Sequence, residues 1–334
     1  MHEWFAIAGT THAGSEAAPT DIIDPTCAST RRLAYCGIAV KDAQVVLAAT
    51  GGHQDYAGNE VTAIDLAADT PAWALLKAGS SFVDVVPDAP YYRDGLPASR
   101  HTYTAVHYST TRQRLMLHGT RFSFGNGRSY PPSNGFDLVN KRWDPAGTWK
   151  NGVTALCGDA YDNCWSVGNY FQLSRWSPDA DTWTRMATHG GAIYPAMAHD
   201  WKRNLLFQLS WGNGEADGTG ATAYKYTSSG RVQTPVTIRQ SAAYTQWQAD
   251  TPAYASMAYD PDGDRFLYWD GESRHLYQIT PNNSSTWEMS IVLTTGTPPP
   301  RRSGSYGRMA YVASLRGCVV MPSGHEPLHF IKVA

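Results

Sequence analysis

Charge is what this chain has least of. Only 17% of its 334 residues are Asp, Glu, Lys or Arg, and the net charge is -2. No excess of either sign marks it for nucleic acid or an anionic membrane. Long apolar runs are missing as well. Nothing approaches the roughly 20 residues of a membrane-spanning helix, so no membrane span is expected. The first residues, MHEWFAIAGTTHAGS, have neither a basic start nor an apolar core of about 7–15 residues, so no Sec signal peptide is expected. Cysteine is scarce: Cys27, Cys36, Cys157, Cys164 and Cys318 are odd in number, and their spacing matches no zinc pattern. Buried or incidental thiols are expected. Cys157 and Cys164 flank a tight turn and could face each other across a hairpin. Catalytic signatures are also lacking. No GxSxG or HxH occurs, and GNGR (125–128) lacks the Lys-Ser/Thr of a phosphate loop.

Aromatics and glycine, by contrast, are plentiful, with 12 Trp, 19 Tyr and 30 Gly. That mix suits many short aromatic strands with glycine-rich corners better than helices. With 42% hydrophobic residues the chain can bury a large core.

One module recurs along the chain. A small-residue apolar strand is followed by a polar turn and a strongly apolar strand. After a variable loop come a third strand, another polar turn and often a Trp-bearing fourth strand. Its first half reads GIAVKDAQVVLAAT (37–50), TAVHYSTTRQRLMLHGT (104–120), TALCGDAYDNCWSVGN (154–169), PAMAHDWKRNLLFQLSW (195–211), ASMAYDPDGDRFLYWDG (255–271) and GRMAYVASLRGCVVMPSG (307–324). The sixth copy stops at LHFIKVA (328–334) without a fourth strand, and HEWFAI (2–7) matches the fourth-strand pattern of TPAWAL, DTWTRM and STWEMS. The pattern predicts a single all-β domain, a six-bladed β-propeller over residues 1–334. Its blades fall near 33–76, 101–149, 153–187, 193–238, 253–293 and 307–334, the last completed by residues 2–7. Closing the ring in this way leaves no blade edge open.

The double glycine Gly51-Gly52 ending VVLAATGG, the aromatic Tyr56 beyond it and Trp73 in PAW resemble kelch-type propellers such as the propeller domain of galactose oxidase. PASRHTYTAVHY (97–108) also resembles the way a kelch blade begins, with an Arg ahead of the innermost strand. The other modules keep only His118-Gly119, Trp211-Gly212 and Asp270-Gly271 at the glycine pair. The resemblance implies the fold. The Tyr–Cys cross-link and Tyr and His ligands of galactose oxidase's copper-radical chemistry cannot be placed on this sequence. Degenerate kelch-type propellers of this kind are similar to predicted tail-associated proteins of phages and prophages.

The connections fall into two sets. Those joining strands one to two and three to four are short and rich in Asp, Asn, Gly and Ser, such as KDAQ, DWKRN and DPDGD, and read as generic hairpin turns. Those on the opposite face are long and irregular, including residues 10–32, 77–100, 121–133, 211–221, 239–252 and 294–306. Long loops on a rigid scaffold are where function concentrates. His53, Asp55, Tyr56, Asn59, Tyr91, Tyr92, Arg93, Arg100, His101, Arg121, Trp211, Trp269 and Arg301 lie in or beside them. They form the candidate binding surface, because Trp, Tyr and Arg anchor interfaces and stack on sugars. Each has a structural alternative: the residues around 52–60 could be corner hydrogen-bonders, and Arg100 could clamp onto Asp55 or Asp94. His12, His53, Asp55, His101, His118, His325 and Glu326 are the potential metal ligands. No spacing draws them together, so no metal, cofactor or catalytic residue is assigned.

The expected function is a non-enzymatic interaction or structural propeller. It would bind other protein subunits of an assembly, or a surface glycan, through the long-loop face. A virion, as part of a phage tail, is the expected context, with the protein cytoplasmic before assembly. The alternative is a carbohydrate-active enzyme, a glycan hydrolase, lyase or oxidase-like protein, with its site over the central channel.

Overall fold

The structure, a computed structural model, describes residues 2–12, 35–52, 56–119, 123–125, 132–150, 157–158, 163–168, 172–188, 196–210, 222–227, 233–250, 254–269, 271, 275–300 and 305–333. Strand β1 (His2–Ala6) stands apart from the strands that follow it. Blade one holds β2 (Ala39–Lys41), β3 (Gln44–Ala48), β4 (Val61–Asp65) and β5 (Trp73–Lys77). Blade two holds β6 (Val106–Ser109), β7 (Arg114–Leu117), β8 (Asn134–Asp137) and β9 (Arg142–Trp143). Blade three holds β10 (Cys157–Gly158), β11 (Cys164–Gly168), β12 (Gln172–Ser177) and β13 (Thr182–Thr188). Blade four holds β14 (Ala196–Asp200), β15 (Leu205–Ser210), β16 (Thr222–Thr227) and β17 (Gln233–Pro235).

The chain then crosses to the outer edge of blade five through β18 (Thr237–Ile238) and the helix α1 (Ala242–Asp250). Blade five proper is β19 (Ser256–Asp260), β20 (Arg265–Trp269), β21 (Leu276–Thr280) and β22 (Thr286–Ile291). After β23 (Thr294–Gly296), blade six follows with β24 (Met309–Val312), β25 (Gly317–Val320) and β26 (His329–Lys332). β1 pairs antiparallel with β26 and supplies the missing fourth strand, in the register Glu3 with Lys332 and Trp4 with Ile331. The six-bladed propeller expected from the repeats is present, and its ring is closed by the N-terminal strand.

Two details differ from the sequence reading. Residues 237–238 belong to blade five, not blade four: β18 adds to β22 in parallel, as β23 adds to β1, so both blades have five strands. Residues 239–252, read as a loop, contain α1, whose Tyr244 and Trp247 are buried on blade five's core cluster.

Burial follows strand position. Second strands such as β20 (RFLYW) are buried on both faces beyond their first residue, whereas the outer β22 (TWEMSI) alternates buried and open. The core is a set of layers between blades. Outer-strand tryptophans project into the preceding blade: Trp4 into blade five, Trp73 into blade six, Trp143 into blade one and Trp287 into blade four. The hairpin turns are held by buried aspartates. Asp200 Oδ1 accepts the N–H groups of Lys202 and Arg203, Asp260 Oδ1 those of Asp262 and Gly263, and Asp137 Oδ1 those of Val139 and Asn140. This is the chemistry expected of these short turns.

Candidate ligand site

The inner strands β2, β6, β14, β19 and β24 surround an axial channel of about 300 Å³. At its long-loop end four tyrosines occupy one repeat position, three residues before the first strongly apolar residue of the strand: Tyr35, Tyr103, Tyr254 and Tyr306. All four adopt left-handed backbone, at φ 56, 46, 57 and 41°. That conformation costs a bulky residue about 1–3 kcal/mol. It turns the chain into the inner strand and aims carbonyls at the next blade: Tyr35 O accepts the Tyr103 N–H at 2.8 Å, and Tyr254 O accepts the Tyr306 N–H at 2.7 Å. The rings converge. Tyr103 and Tyr306 lie 5.2 Å apart by centroid, Tyr35 lies 5.7 Å from Tyr306, and His101 is 4.5 Å from Tyr35. Tyr103, Tyr306 and His101 are buried, and Tyr35 and Tyr254 face solvent.

The described residues of the predicted surface are mostly interior. The corner after β3 turns on Gly51 and Gly52, at φ 130 and 88°, and docks against the start of blade two: Arg100 N–H donates to Ala49 O, and Thr50 bridges Arg100. Tyr56 is buried, its hydroxyl donating to Glu60 at 3.2 Å. Asn59 is buried, with its amide on Ser80 and the Pro97 carbonyl. Tyr92 is buried, donating to Ala57 O, and burial pushes its phenol pKa up. Trp269 belongs to the core between blades five and six. His101 contacts the Tyr103 hydroxyl at 3.1 Å. Arg100 is fully buried and is held by carbonyls, Nε on Ala98 O and Nη1 on Pro132 O, while Nη2 has no partner among the described residues. Burial lowers its pKa to about 10. Asp94 is turned elsewhere, accepting the Leu96 N–H. Among the described residues of that set, only Tyr91 and Arg93 reach the surface, Tyr91 accepting from Asn134 and Arg93 donating to Val83 O. His53, Asp55, Arg121, Trp211 and Arg301 lie outside the described residues.

The hairpin end of the channel is aromatic too. Trp201, in the turn after β14, is 47% exposed. It stands edge-on to Tyr259 and Tyr311, each 6.4 Å away by centroid. Half-buried Tyr108 completes the rim beneath Lys41, whose Nζ is 5.0 Å from the ring centre. The phenols are oriented by hydrogen bonds: Tyr259 donates to Asp264 and Tyr311 to Asp262. Arg203 grips Asp264 with two bonds of 2.7 Å and holds its carboxyl well below the usual carboxylate range. Burial first, and these carboxylates second, push both phenol pKa values up. Among the described side chains lining the channel, none is Asp, Glu, Lys or Arg. The sequence reading passed over both aromatic sets. The signals were the tyrosine repeated at 35, 103, 194, 254 and 306, and a tryptophan in DWKRN where DPDGD has proline.

One polar cluster lies between blades two and three, with His118 and Cys164 buried and His107 half-buried where it also lines the channel. The donor atoms of His107, His118 and Cys164 lie within 4.8 Å of one another. The two imidazoles stack with centroids 5.0 Å apart. His118 is fully buried. Its Nδ1 meets Ser133 Oγ at 3.3 Å, and its Nε2 has no hydrogen-bond partner among the described residues. Desolvation, then the neighbouring His107, lowers its pKa well below the ordinary imidazole value. Of the sequence's potential metal ligands only His118 belongs here. His12 is buried elsewhere, against Thr62 and Trp73. The strand register places Gly158, not Cys157, opposite Cys164, and Cys164 is in no disulfide.

No protein family matches the sequence, and no curated protein does. Solved structures do. One, a structural genomics protein of unknown function from Bacteroides thetaiotaomicron, aligns over 100% of this chain and 76% of its own at TM-score 0.56 and 12% identity. Another, YjhT, aligns over 89% of this chain and 93% of its own at TM-score 0.53 and 9% identity. A third, a fungal alcohol oxidase of the AA5 family in complex with copper, aligns over 89% of this chain and 61% of its own at TM-score 0.50 and 11% identity. Likeness at such low identity speaks for the fold alone: the chain is a six-bladed β-propeller.

Proposed function

We propose that this propeller is a non-catalytic binding module whose axial channel takes a sugar unit of a surface glycan at its hairpin end. The observation carrying this is the channel lining. Among the described residues the channel is lined by no Asp, Glu, Lys or Arg, it is about 300 Å³ in volume, and Trp201, Tyr108, Tyr259 and Tyr311 rim it. A neutral sugar ring offers C–H faces for stacking and hydroxyls for the backbone and phenols around it, and the volume sits at the small end of ligand pockets of about 300–1,000 Å³. The carbohydrate-active alternative is less favoured. Glycoside hydrolysis needs two carboxyls roughly 5–10 Å apart, and the described channel lining offers none. The long-loop face, with Tyr35 and Tyr254 exposed, is where a neighbouring subunit of an assembly would dock, and a phage tail remains the context we favour. The test is a glycan array followed by calorimetry on the best hit. Trp201→Ala should weaken binding by about 1.5–3 kcal/mol with an unchanged melting temperature, while Tyr35→Ala should leave it intact. Retained affinity in folded Trp201→Ala would overturn the site.

A further inference from the structure

The repeats supply their own control for the cluster between blades two and three. Four residues after each repeated tyrosine the chain carries Ala39, Ala198, Ala258 and Ala310, but His107 in blade two. Each is paired to the second strand in the same way: Ala39 with Val46, Ala198 with Phe207, Ala258 with Leu267, Ala310 with Val319 and His107 with Met116. Two residues further along the second strand stand Ala48, Leu209, Trp269 and Met321, but His118 in blade two. Blade two therefore places imidazoles at two adjoining positions that the other four blades of this alignment fill with apolar side chains. Period-two alternation puts Met116 and His118 on the same face of the sheet, the face covered by Cys164 and Trp176 of blade three. Packing alone asks for Ala and an apolar residue here. Two imidazoles and a thiol, with one ring nitrogen of His118 fully buried and unpartnered among the described residues, ask for something more.

We propose that His107, His118 and Cys164 bind one thiophilic d10 metal cation between blades two and three, Cu+ in preference to Zn2+. Bonds of about 2.0–2.3 Å would draw the donor atoms from within 4.8 Å to about 3.3–3.8 Å, a shift within reach of side-chain rotation. Binding releases the Cys164 thiol proton to solvent, and the thiolate and two neutral imidazoles become the ligands. The ion follows from charge and donor count. Cu+ with one thiolate and two imidazoles is neutral overall, as an apolar layer walled by Trp176 and Trp183 requires. Zn2+ would leave a net charge there and calls for a fourth hard or borderline donor. The further donor on this face, the Met116 thioether, is soft and suits Cu+. These side chains carry the assignment; the copper of the AA5 neighbour does not.

The experiment is an anaerobic titration of the whole chain with Cu+, held in competition with a colorimetric chelator, alongside Zn2+ in a parallel arm. The wild type should hold one equivalent of Cu+, with a raised melting temperature and a copper–sulfur signal by X-ray absorption. His107→Ala and His118→Leu restore residues that other blades carry, so both variants should fold. Both should lose the equivalent and the thermal shift, as should Cys164→Ser, while Cys318→Ala should keep them. Failure of the wild type to retain Cu+, or retention by His107→Ala and His118→Leu, would overturn the site. A wild type that takes up Zn2+ more tightly than Cu+ would overturn the choice of ion.

Discussion

A guanidinium taken out of water without a carboxylate costs about several kcal/mol, and Arg100 recovers part of that from two backbone carbonyls, those of Ala98 and Pro132. The side chain ties the approach to blade two at Ala98 to the loop at Pro132, while the Arg100 backbone N–H meets Ala49 O at the corner of blade one. Arg100→Ala should lower unfolding free energy by about 2–4 kcal/mol through lost packing and orphaned carbonyls. The folded fraction should bind ligand as the wild type does, which chemical denaturation and calorimetry on the same sample can check. His329 is a second buried side chain with a measurable signature. Burial lowers its pKa, against a smaller upward pull from the Pro327 carbonyl. The unfolded chain therefore takes up the proton first. Stability is fully present above the unfolded value of about 6.5 and drains as pH falls below it, by up to about 1.4 kcal/mol per pH unit. His2 and His118 shift in the same direction, so His329→Gln should flatten part of the slope in urea midpoints between pH 7.5 and 5.5, not all of it. These roles were poorly legible in the sequence. Asn59, Tyr92 and Arg100 read as contact residues because their types are common at interfaces, and residue type does not reveal which way a side chain points. The tyrosine repeat and the histidines that break the alanine pattern were present as letters. They became visible only once register aligned the blades.

At the level of elements, β1 closes the ring by pairing with β26. Its fifth-strand neighbour β23 meets it at Gly296, where φ is 76° and an added Cβ would lie 2.0 Å from the Trp4 carbonyl oxygen. Trp4 itself is buried among Leu267, Trp269 and Leu276 of blade five, and it joins two blades through one side chain. Removing residues 1–9 should lower the melting temperature by many degrees, because a blade edge and an inter-blade layer open together. Trp4→Ala alone should cost about 3–5 kcal/mol. A deletion that melts like the full chain would show that the ring does not depend on this strand. The strands, turns and closure were readable because each rests on a local code: apolar second strands, aspartate-led hairpins and tryptophan on the outer strand. The crossing of β18 and β23 to the next blade was not, since a two- or three-residue parallel edge has no period to detect. Helix α1 escaped for a related reason: SAAYTQWQAD has no marked apolar face, and its Trp247 is buried by tertiary packing.

Seen whole, the described channel lining carries no Asp, Glu, Lys or Arg and is rimmed by aromatics, while the outer-strand tryptophans lie between blades. The scaffold is stiff where neighbouring blades interlock through shared layers. The layer between blades two and three carries two imidazoles and a thiol, with both imidazoles at positions where the other aligned blades have apolar side chains. The pairing of Glu3 with Lys332 also sets a clock for biosynthesis. A ribosome adding about 5–20 residues per second delivers Lys332 roughly 15–65 s after Glu3. Blades one to five are contiguous and can assemble in order as they emerge. β1 has to wait through all of it with its edge unpaired and Trp4 in water. Its partner β26 is the last of the propeller's strands to emerge, and the interval before that is when the nascent chain is most open to pairing with the wrong strand.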